Sequence, residues 1–386
     1  MISGTAKVII DLGNSQTRVL TKFGTNAKGK PRTVLSFLDN RYGILPADKV
    51  SVYLTDQLYS EEDSCIFNFD DGTGVQAWCN GEICNNEITM SERPTALVKK
   101  YQSNASKLAI VNAIRKSYEM VADMSDCDVE NVNVDWDVVI LLPPEDVDTG
   151  SALIADMVKS IKRIDFLMPC IEKEVRINTV NVYPEGFCAY IAVLLENKEK
   201  IRKGYSYLAD PEEYTLIIDI GAGTTDFTLA KGNKIITSSR FTRAIGGNNV
   251  HSRVRKLLHA RNISIGDQRV RTGVETGVIK SGAKTYDICE EIATAKRDVA
   301  KALIDAIVEF FEDSMTPIQS INNLLICGGG AVESENENIQ PISNYMIDYM
   351  KALSPDVSLV KLPTDEDGNK ISARLLNIIG AGILAA

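Results

Sequence analysis

One short pattern occurs twice in the chain, once in each half. Near the start it reads Val8-Ile9-Ile10-Asp11-Leu12-Gly13-Asn14-Ser15-Gln16-Thr17-Arg18, and past the midpoint Leu216-Ile217-Ile218-Asp219-Ile220-Gly221-Ala222-Gly223-Thr224-Thr225-Asp226. Each copy is an apolar run ending in an aspartate, then a tight turn of glycine with small hydroxyl or amide residues, then a second β-like run. Glycine lets the backbone turn sharply and approach a ligand closely. Successive backbone N–H groups in such a turn form a concave anion site. An aspartate at the strand end repels phosphate, so it is expected to face a metal ion or an attacking water. One such hairpin is also a common β-turn. Two copies set the expectation of a duplicated architecture that binds polyphosphate.

A chain of 386 residues is too long for one ordinary core, so two domains are expected. The formal net charge of −10 argues against a dedicated nucleic-acid surface. The eight cysteines are scattered; Cys79 and Cys84 bracket a short segment, but no second Cys or His pair completes a zinc set. Free thiols in a reducing cytoplasm are the expectation. Residues 1–7 lack the basic start and apolar core of a signal peptide. The apolar stretch 375–386 is shorter than the roughly 20 residues a bilayer span needs, and reads as a buried helix.

Periodicity places the elements. Residues 8–10, 17–23 and 33–37 read as an antiparallel meander. Residues 40–100 read as an insertion with β-like pieces at 52–54 and 65–69 and a turn at 71–74. Leu108, Val111, Ile114, Tyr118 and Val121 predict a helix over 104–124, capped by Ser103 or Asn104. A strand at 137–142 stops at Pro143-Pro144. A second amphipathic helix is expected over 149–164, with Leu153, Ile154, Met157, Val158 and Ile161 inward. A strand at 176–183 and a helix at 187–197 flank Pro184-Glu185-Gly186, before a charged connector, 198–213. The second hairpin opens another meander through 234–237. Helices at 250–260 and 292–312 follow, then a strand at 323–327 ending in Gly328-Gly329-Gly330. A helix at 345–353, a strand at 357–361 and a helix at 372–385 complete the chain, while 261–290 carries no clear pattern. Each half runs hairpin, third strand, helix, strand, helix.

The order Asp11-Leu12-Gly13-Asn14-Ser15, Pro184-Glu185, the 219–226 turn, Cys327-Gly328-Gly329-Gly330-Ala331 and the apolar ending 377–384 resembles a known set of five motifs. These are the phosphate 1, connect 1, phosphate 2, adenosine and connect 2 motifs of the actin/hexokinase/heat-shock-chaperone ATPase superfamily. The resemblance implies an α/β, actin-like two-lobed ATPase fold, with duplicated mixed-sheet domains flanking a nucleotide cleft. It implies lobe I over 1–195, with an inserted subdomain at about 40–100 and the C-terminal helix 372–386 returning to it. Lobe II takes 196–371, with an insertion at about 250–320. The implied cofactors are ATP, with GTP as the alternative, and Mg2+.

By the same resemblance, Gly13, Asn14 and Ser15 in one lobe and Gly221, Ala222, Gly223 and Thr224 in the other clamp the β- and γ-phosphates. Asp11 and Asp219 hold the metal through water. Glu185 polarises the attacking water, with Asp219 a second catalytic candidate. Gly328, Gly329 and Gly330 pass close to adenine and ribose. Arg18 stands where relatives often place a lysine near the phosphates, and Lys280 is the candidate beside the adenine ring. Ala222 replaces a glycine common in the chaperone relatives. The plainer readings are a dipole-stabilising first-turn glutamate for Glu185 and a solvated helix face for His251, Arg253, Arg255, Lys256 and His259, for which a polymer or partner contact is the sharper alternative. The acidic run 333–337 reads as surface.

The chain ends at the connect 2 helix, without the chaperones' substrate domain, and neither terminus has a basic amphipathic face for membrane. It looks most like the bacterial plasmid-segregation actins of the ParM/StbA type. That likeness implies a cytoplasmic, filament-forming ATPase whose partners are other copies of itself and a small basic DNA-binding adaptor protein. DNA would be met only indirectly and membrane not at all. The alternative is a non-polymerising small-molecule kinase or phosphatase of the same superfamily.

Overall fold

The computed structural model describes every residue except 28, 56–63, 71–74, 89–90, 96–97, 168–169, 283, 313–315, 332–333, 335 and 366–367. The turn expected at 71–74 and part of the acidic run 333–337 therefore lie outside the described residues. The chain divides into two compact units. The first holds residues 1–142, 146–184 and 385, and the second 143–145, 185–384 and 386.

In the first unit, β1 (Ile2–Leu12) pairs antiparallel with β2 (Gln16–Thr25), and β2 with β3 (Pro31–Asp39). The expected meander is present, with longer strands. The insertion carries β4 (Tyr42–Ile44), α1 (Ala47–Thr55), β5 (Ser64–Asp70), β6 (Val75–Gly81) and α2 (Glu82–Glu87). Residues 52–54 are helical within α1, against the β-like expectation. Their β-branched and aromatic composition was outweighed by packing, since Tyr53 turns into a small core of Leu45, Ile66, Cys79, Ile83 and Cys84.

α3 (Asn104–Ser125) follows, with the Ser103 hydroxyl accepting the Ser106 N–H as its cap and all five predicted apolar positions buried. β7 (Val132–Leu142) starts five residues before the expected strand. Its first half alternates, with Val132, Val134 and Trp136 inward, and only its second half is the apolar run visible in sequence.

α4 (Val147–Ser160) ends before residue 164, because the chain turns into β8 (Arg163–Leu167), which pairs with β5 and with β9 (Cys170–Glu174). Leu153, expected inward, is 50% exposed, whereas Ile154, Val158 and Ile161 are buried. β10 (Arg176–Pro184) closes the unit. The main sheet has the order β10-β7-β1-β2-β3, with β7 parallel to both β1 and β10.

The second unit opens with α5 (Phe187–Leu194), which stops short of residue 197 because β11 (Leu195–Asn197) folds back on β12 (Lys200–Ile201). Then come β13 (Tyr214–Ile220), β14 (Thr225–Lys231), β15 (Lys234–Arg243) and α6 (Gly247–Ala260). The unassigned stretch holds α7 (Asp267–Thr276), β16 (Val278–Ser281) and β17 (Lys284–Asp287). α8 (Cys289–Glu312), β18 (Ile321–Cys327), α9 (Ile342–Leu353), a two-residue β19 (Ser358–Leu359) and α10 (Leu376–Leu384) finish the chain. The sheet order is β15-β14-β13-β18-β19, with β13, β18 and β19 parallel. It repeats the first unit strand for strand, so the duplicated motif sits on a duplicated topology.

α10 lies against α5 at backbone distance: a Cβ on Gly380 would stand 1.7 Å from the Cys188 carbonyl oxygen, so only glycine fits there. The glycine at 380 is a helix-packing device within the second unit. Among the described residues, no helix is long and apolar enough to cross a membrane.

Candidate functional site

The two hairpin turns share one construction. In the first unit, the Asn40 side-chain amide donates to the Gly13 carbonyl, and the Asn40 backbone N–H to the Ser15 carbonyl at 3.3 Å. Asn40 is itself buried, and its side-chain oxygen accepts from the Thr17 hydroxyl at 2.7 Å. In the second unit, the start of α6 does the same work: the Gly247 N–H donates to the Gly221 carbonyl at 2.9 Å and the Asn248 N–H to the Ala222 carbonyl at 2.8 Å. A trans peptide points its N–H opposite to its C=O. Tying down the carbonyls of Gly13, Gly221 and Ala222 therefore turns the N–H groups of Asn14, Ala222 and Gly223 the other way, as an anion-binding turn requires.

Glycine is needed at these places. A Cβ at Gly13 would lie 2.5 Å from the Gln16 carbonyl oxygen, and one at Gly246 would lie 2.7 Å from the Gly221 carbonyl oxygen.

The two aspartates differ in their company. Asp11 lies opposite Arg18 across β1 and β2 and pairs with it at 2.7 Å, with both side chains largely buried. Arg18 thus balances the Asp11 charge from within the hairpin. In the second unit the corresponding pair is Asp219 opposite Asp226, both 5% exposed. Asp226 accepts from the Thr242 hydroxyl at 2.5 Å. Asp219 accepts from the Asn377 side-chain amide on α10, and the other end of that amide accepts the Gly186 N–H at 2.9 Å. Asn377 therefore ties Asp219 to the residue after Glu185. Glu185 is buried at the end of β10, and Gly186 holds a φ of +70° that a side-chain residue would resist.

The glycine triplet closes over the same aspartate. Gly328 has φ +88°, and a Cβ there would stand 2.2 Å from Asp219 Oδ1 and 2.5 Å from the Ile220 carbonyl oxygen. A Cβ on Gly330 would stand 2.6 Å from the Ile220 side chain, and one on Gly247 would stand 3.6 Å from the Gly330 Cα. Beside the triplet is a cavity of about 560 Å³, lined among others by Ala331, Ser343, Lys361, Lys370 and Ser372.

In the second unit, then, Glu185, Asp219, Gly221, Ala222, Gly328 and Gly330 are brought together, with Gly223, Thr224 and Gly329 beside them in the same turns. In the first unit Asp11, Gly13, Asn14, Ser15 and Arg18 share one hairpin. Lys280 sits exposed on β16 opposite Thr285, outside the second cluster. Asn40, Asp226, Gly246 and Asn377 are structural members of these sites that the sequence did not single out. An asparagine inside the apolar run Leu376-Asn377-Ile378-Ile379 was the one available signal, since a buried amide needs partners.

Lys296, on α8, is a further buried group that the sequence did not mark. Its ammonium donates to the Gln340 carbonyl at 3.0 Å, and burial pushes its pKa down from 10.5 to about 8. Below about pH 8 the lysine is protonated in both folded and unfolded chains, and the cost of burying its charge is fully present. Between about pH 8 and 10.5 the folded chain sheds a proton that the unfolded chain keeps, so stability from this group rises with pH. The rise is at most about 3 kcal/mol. Lys296→Met should therefore be more stable than wild type at pH 7, and the gap should narrow by pH 10. Urea midpoints at the two pH values test this; an unchanging gap would show that Lys296 does not carry the effect.

A family model described as "Archaeal actin homologue MreB-like, C-terminal" matches residues 217–337. No curated protein sequence matches the chain. Among solved structures, the actin-like protein Alp7A aligns with TM-score 0.68 at 14% identity, covering 100% of this chain and 96% of that one. Ta0583, an archaeal actin homologue in complex with ADP, aligns with TM-score 0.66 at 15% identity, covering 98% and 99%. A subunit of a 15-stranded ParM filament from Clostridium botulinum aligns with TM-score 0.58 at 15% identity, covering 98% of each chain.

Proposed function

We infer the function from the fold, which is that of actin-like ATPases and is similar to the structures of ParM proteins and archaeal actin homologues. We propose that the chain binds and hydrolyses ATP in the cytoplasm, forms filaments, and moves plasmid DNA through a small basic adaptor protein. The observation that carries the nucleotide reading is the Asn377 bridge. It ties Asp219 to the backbone N–H next to the buried Glu185, beside a turn whose amides face away from α6. The ADP complex of Ta0583 and the filament of the Clostridium botulinum ParM support nucleotide binding and self-association. The net charge of −10 favours an adaptor over direct DNA contact.

Each residue then has a role. The amides of Asn14, Ala222 and Gly223 donate to phosphate oxygens. Gly328, Gly329 and Gly330 let the backbone approach the nucleoside, and the cavity beside them has the size of small-ligand sites. Glu185 accepts a hydrogen bond from the attacking water and orients it. The carboxylates fit Mg2+: Asp219 and Asp226, both buried, lie opposite each other across one hairpin. Mg2+ is held by one or two carboxylates with water and phosphate, not by a full protein cage. Asp219 would hold it from the second unit, with Asp11 the corresponding carboxylate of the first, and it would neutralise phosphate charge. Arg18, paired to Asp11 at 2.7 Å, fixes where that carboxylate points.

Mg-ATP should raise the melting temperature, since a ligand bound only by the folded chain stabilises it by RT ln(1 + [L]/Kd). Above a critical concentration the protein should pellet with Mg-ATP. The absence of any melting shift with Mg-ATP or Mg-GTP would refute the nucleotide reading. A chain that melts higher yet stays monomeric with every nucleotide would be the small-molecule kinase or phosphatase instead.

A further inference from the structure

Charge is distributed unevenly along this acidic chain. Residues 247–271 hold six Lys and Arg against one Asp, with both histidines of the protein. By contrast, residues 117–158 hold eleven Asp and Glu and no Lys or Arg. The fold makes a surface of each. On α6 and α7, Arg253, Arg255, Lys256, His259, Arg269 and Arg271 are all exposed. Arg253 and Arg255 are spent on Asp298 and Asp267 within the same unit. Lys256 and Arg269 have no carboxylate partner among the described residues. On the same face the His251 Nδ1 is buried without a hydrogen-bond partner. Burial and the Arg271 guanidinium both push its pKa down.

The acidic surface is the C-terminal end of α3 and the turn after it, where Asp123, Asp126 and Asp128 are exposed. Carboxylates there oppose the helix dipole, so they do not serve the helix. Among the described residues none of the three forms an ion pair: Arg32 donates to the Met124 carbonyl, and Lys173 to the carbonyls of Glu130 and Val132.

We propose that the α6–α7 face of one copy docks on the acidic end of α3 of the next. Joining two different patches makes the contact heterologous, and such contacts propagate into rings or open filaments. The proposal rests on the self-assembly reading above and names the contact. A second copy is favoured over nucleic acid because the same chain carries the complementary charge.

A charge swap tests it. Lys256→Glu with Arg269→Glu makes the basic face acidic, and Asp126→Lys with Asp128→Lys makes the acidic end basic. Each double variant alone would set like charges face to face, which is strongly unfavourable. Each should keep the wild-type melting shift with Mg-ATP, yet need roughly tenfold or more protein to pellet. Mixed in equal amounts they should co-pellet near the wild-type concentration, because each reversed patch now meets its opposite. The contact is overturned if either variant assembles like wild type, or if the mixture fails to assemble while both still bind Mg-ATP. It is also overturned if reversing the basic face abolishes binding of a DNA duplex and leaves assembly intact. Wild-type protein that never pellets would sink the self-assembly reading itself, a distinct result.

Discussion

In Glu185→Ala, phosphate release from ATP should slow by roughly 10²-fold or more, the usual loss when a positioned base is removed, while Mg-ATP still binds and the protein still assembles. The carboxylate is held by its backbone. Glu185 follows Pro184 at the end of β10, and the next residue has φ +70° with its N–H bound to Asn377. Removing the side chain leaves this frame intact, and the amides of both turns with it. Phosphoryl transfer to water asks the protein mainly for an oriented nucleophile and neutralised charge, so losing the orienting group affects rate more than affinity. Filaments of the variant should then persist long after wild-type filaments have disassembled. Phosphate release and light scattering on the same samples check both parts. Hydrolysis at the wild-type rate would remove Glu185 from the mechanism. Slow hydrolysis with filaments that vanish on the wild-type schedule would show that hydrolysis does not set filament lifetime.

The parts of this fold legible in sequence are those specified locally. The two hairpins announce themselves because apolar run, Asp and Gly turn lie within about ten residues of each other. α3 does so because five apolar positions repeat at helical spacing and Ser103 caps it. The duplication was legible as an order of elements, and its strand-for-strand identity emerged only from pairing.

What sequence hid is whatever depends on distant partners. α1 has no strong period and is helical because Tyr53 has a core to fill. The first residues of β8 were read as the end of α4 and the rest went unassigned, because the edge it adds to belongs to an insertion about a hundred residues earlier. The site shows the same division. Asp11, Asp219 and the turn glycines were visible. Asn40 was not, because an asparagine that holds a turn from 27 positions away leaves no local pattern, and Asn377, whose partner lies 158 positions away, showed only as an amide inside an apolar run.

Asp219→Ala should act on binding itself. Asp219 is the point where the elements of the second unit's site meet: its carboxylate takes the Asn377 amide, faces Asp226 across the hairpin, and lies where a Cβ on Gly328 would intrude. Removing one member of a buried charged cluster costs about 3–5 kcal/mol. Taken as lost ligand binding, that is roughly 10²-fold to several thousandfold in affinity. Mg-ATP should therefore produce little melting shift in Asp219→Ala at concentrations that saturate wild type, and assembly should fail for want of nucleotide. Asn377→Ala is the graded companion. It keeps the carboxylate and removes the amide that orients it, and loss of such a supporting group typically costs 10- to 100-fold. It also frees the Gly186 N–H and so should slow hydrolysis through Glu185, an effect that a purely structural role in α10 would not produce. Titrating the melting shift against Mg-ATP for wild type, Asn377→Ala and Asp219→Ala should give affinities falling in that order. If Asp219→Ala binds Mg-ATP as tightly as wild type while its unliganded melting point is unchanged, the aspartate pair of the second hairpin has no part in holding the nucleotide.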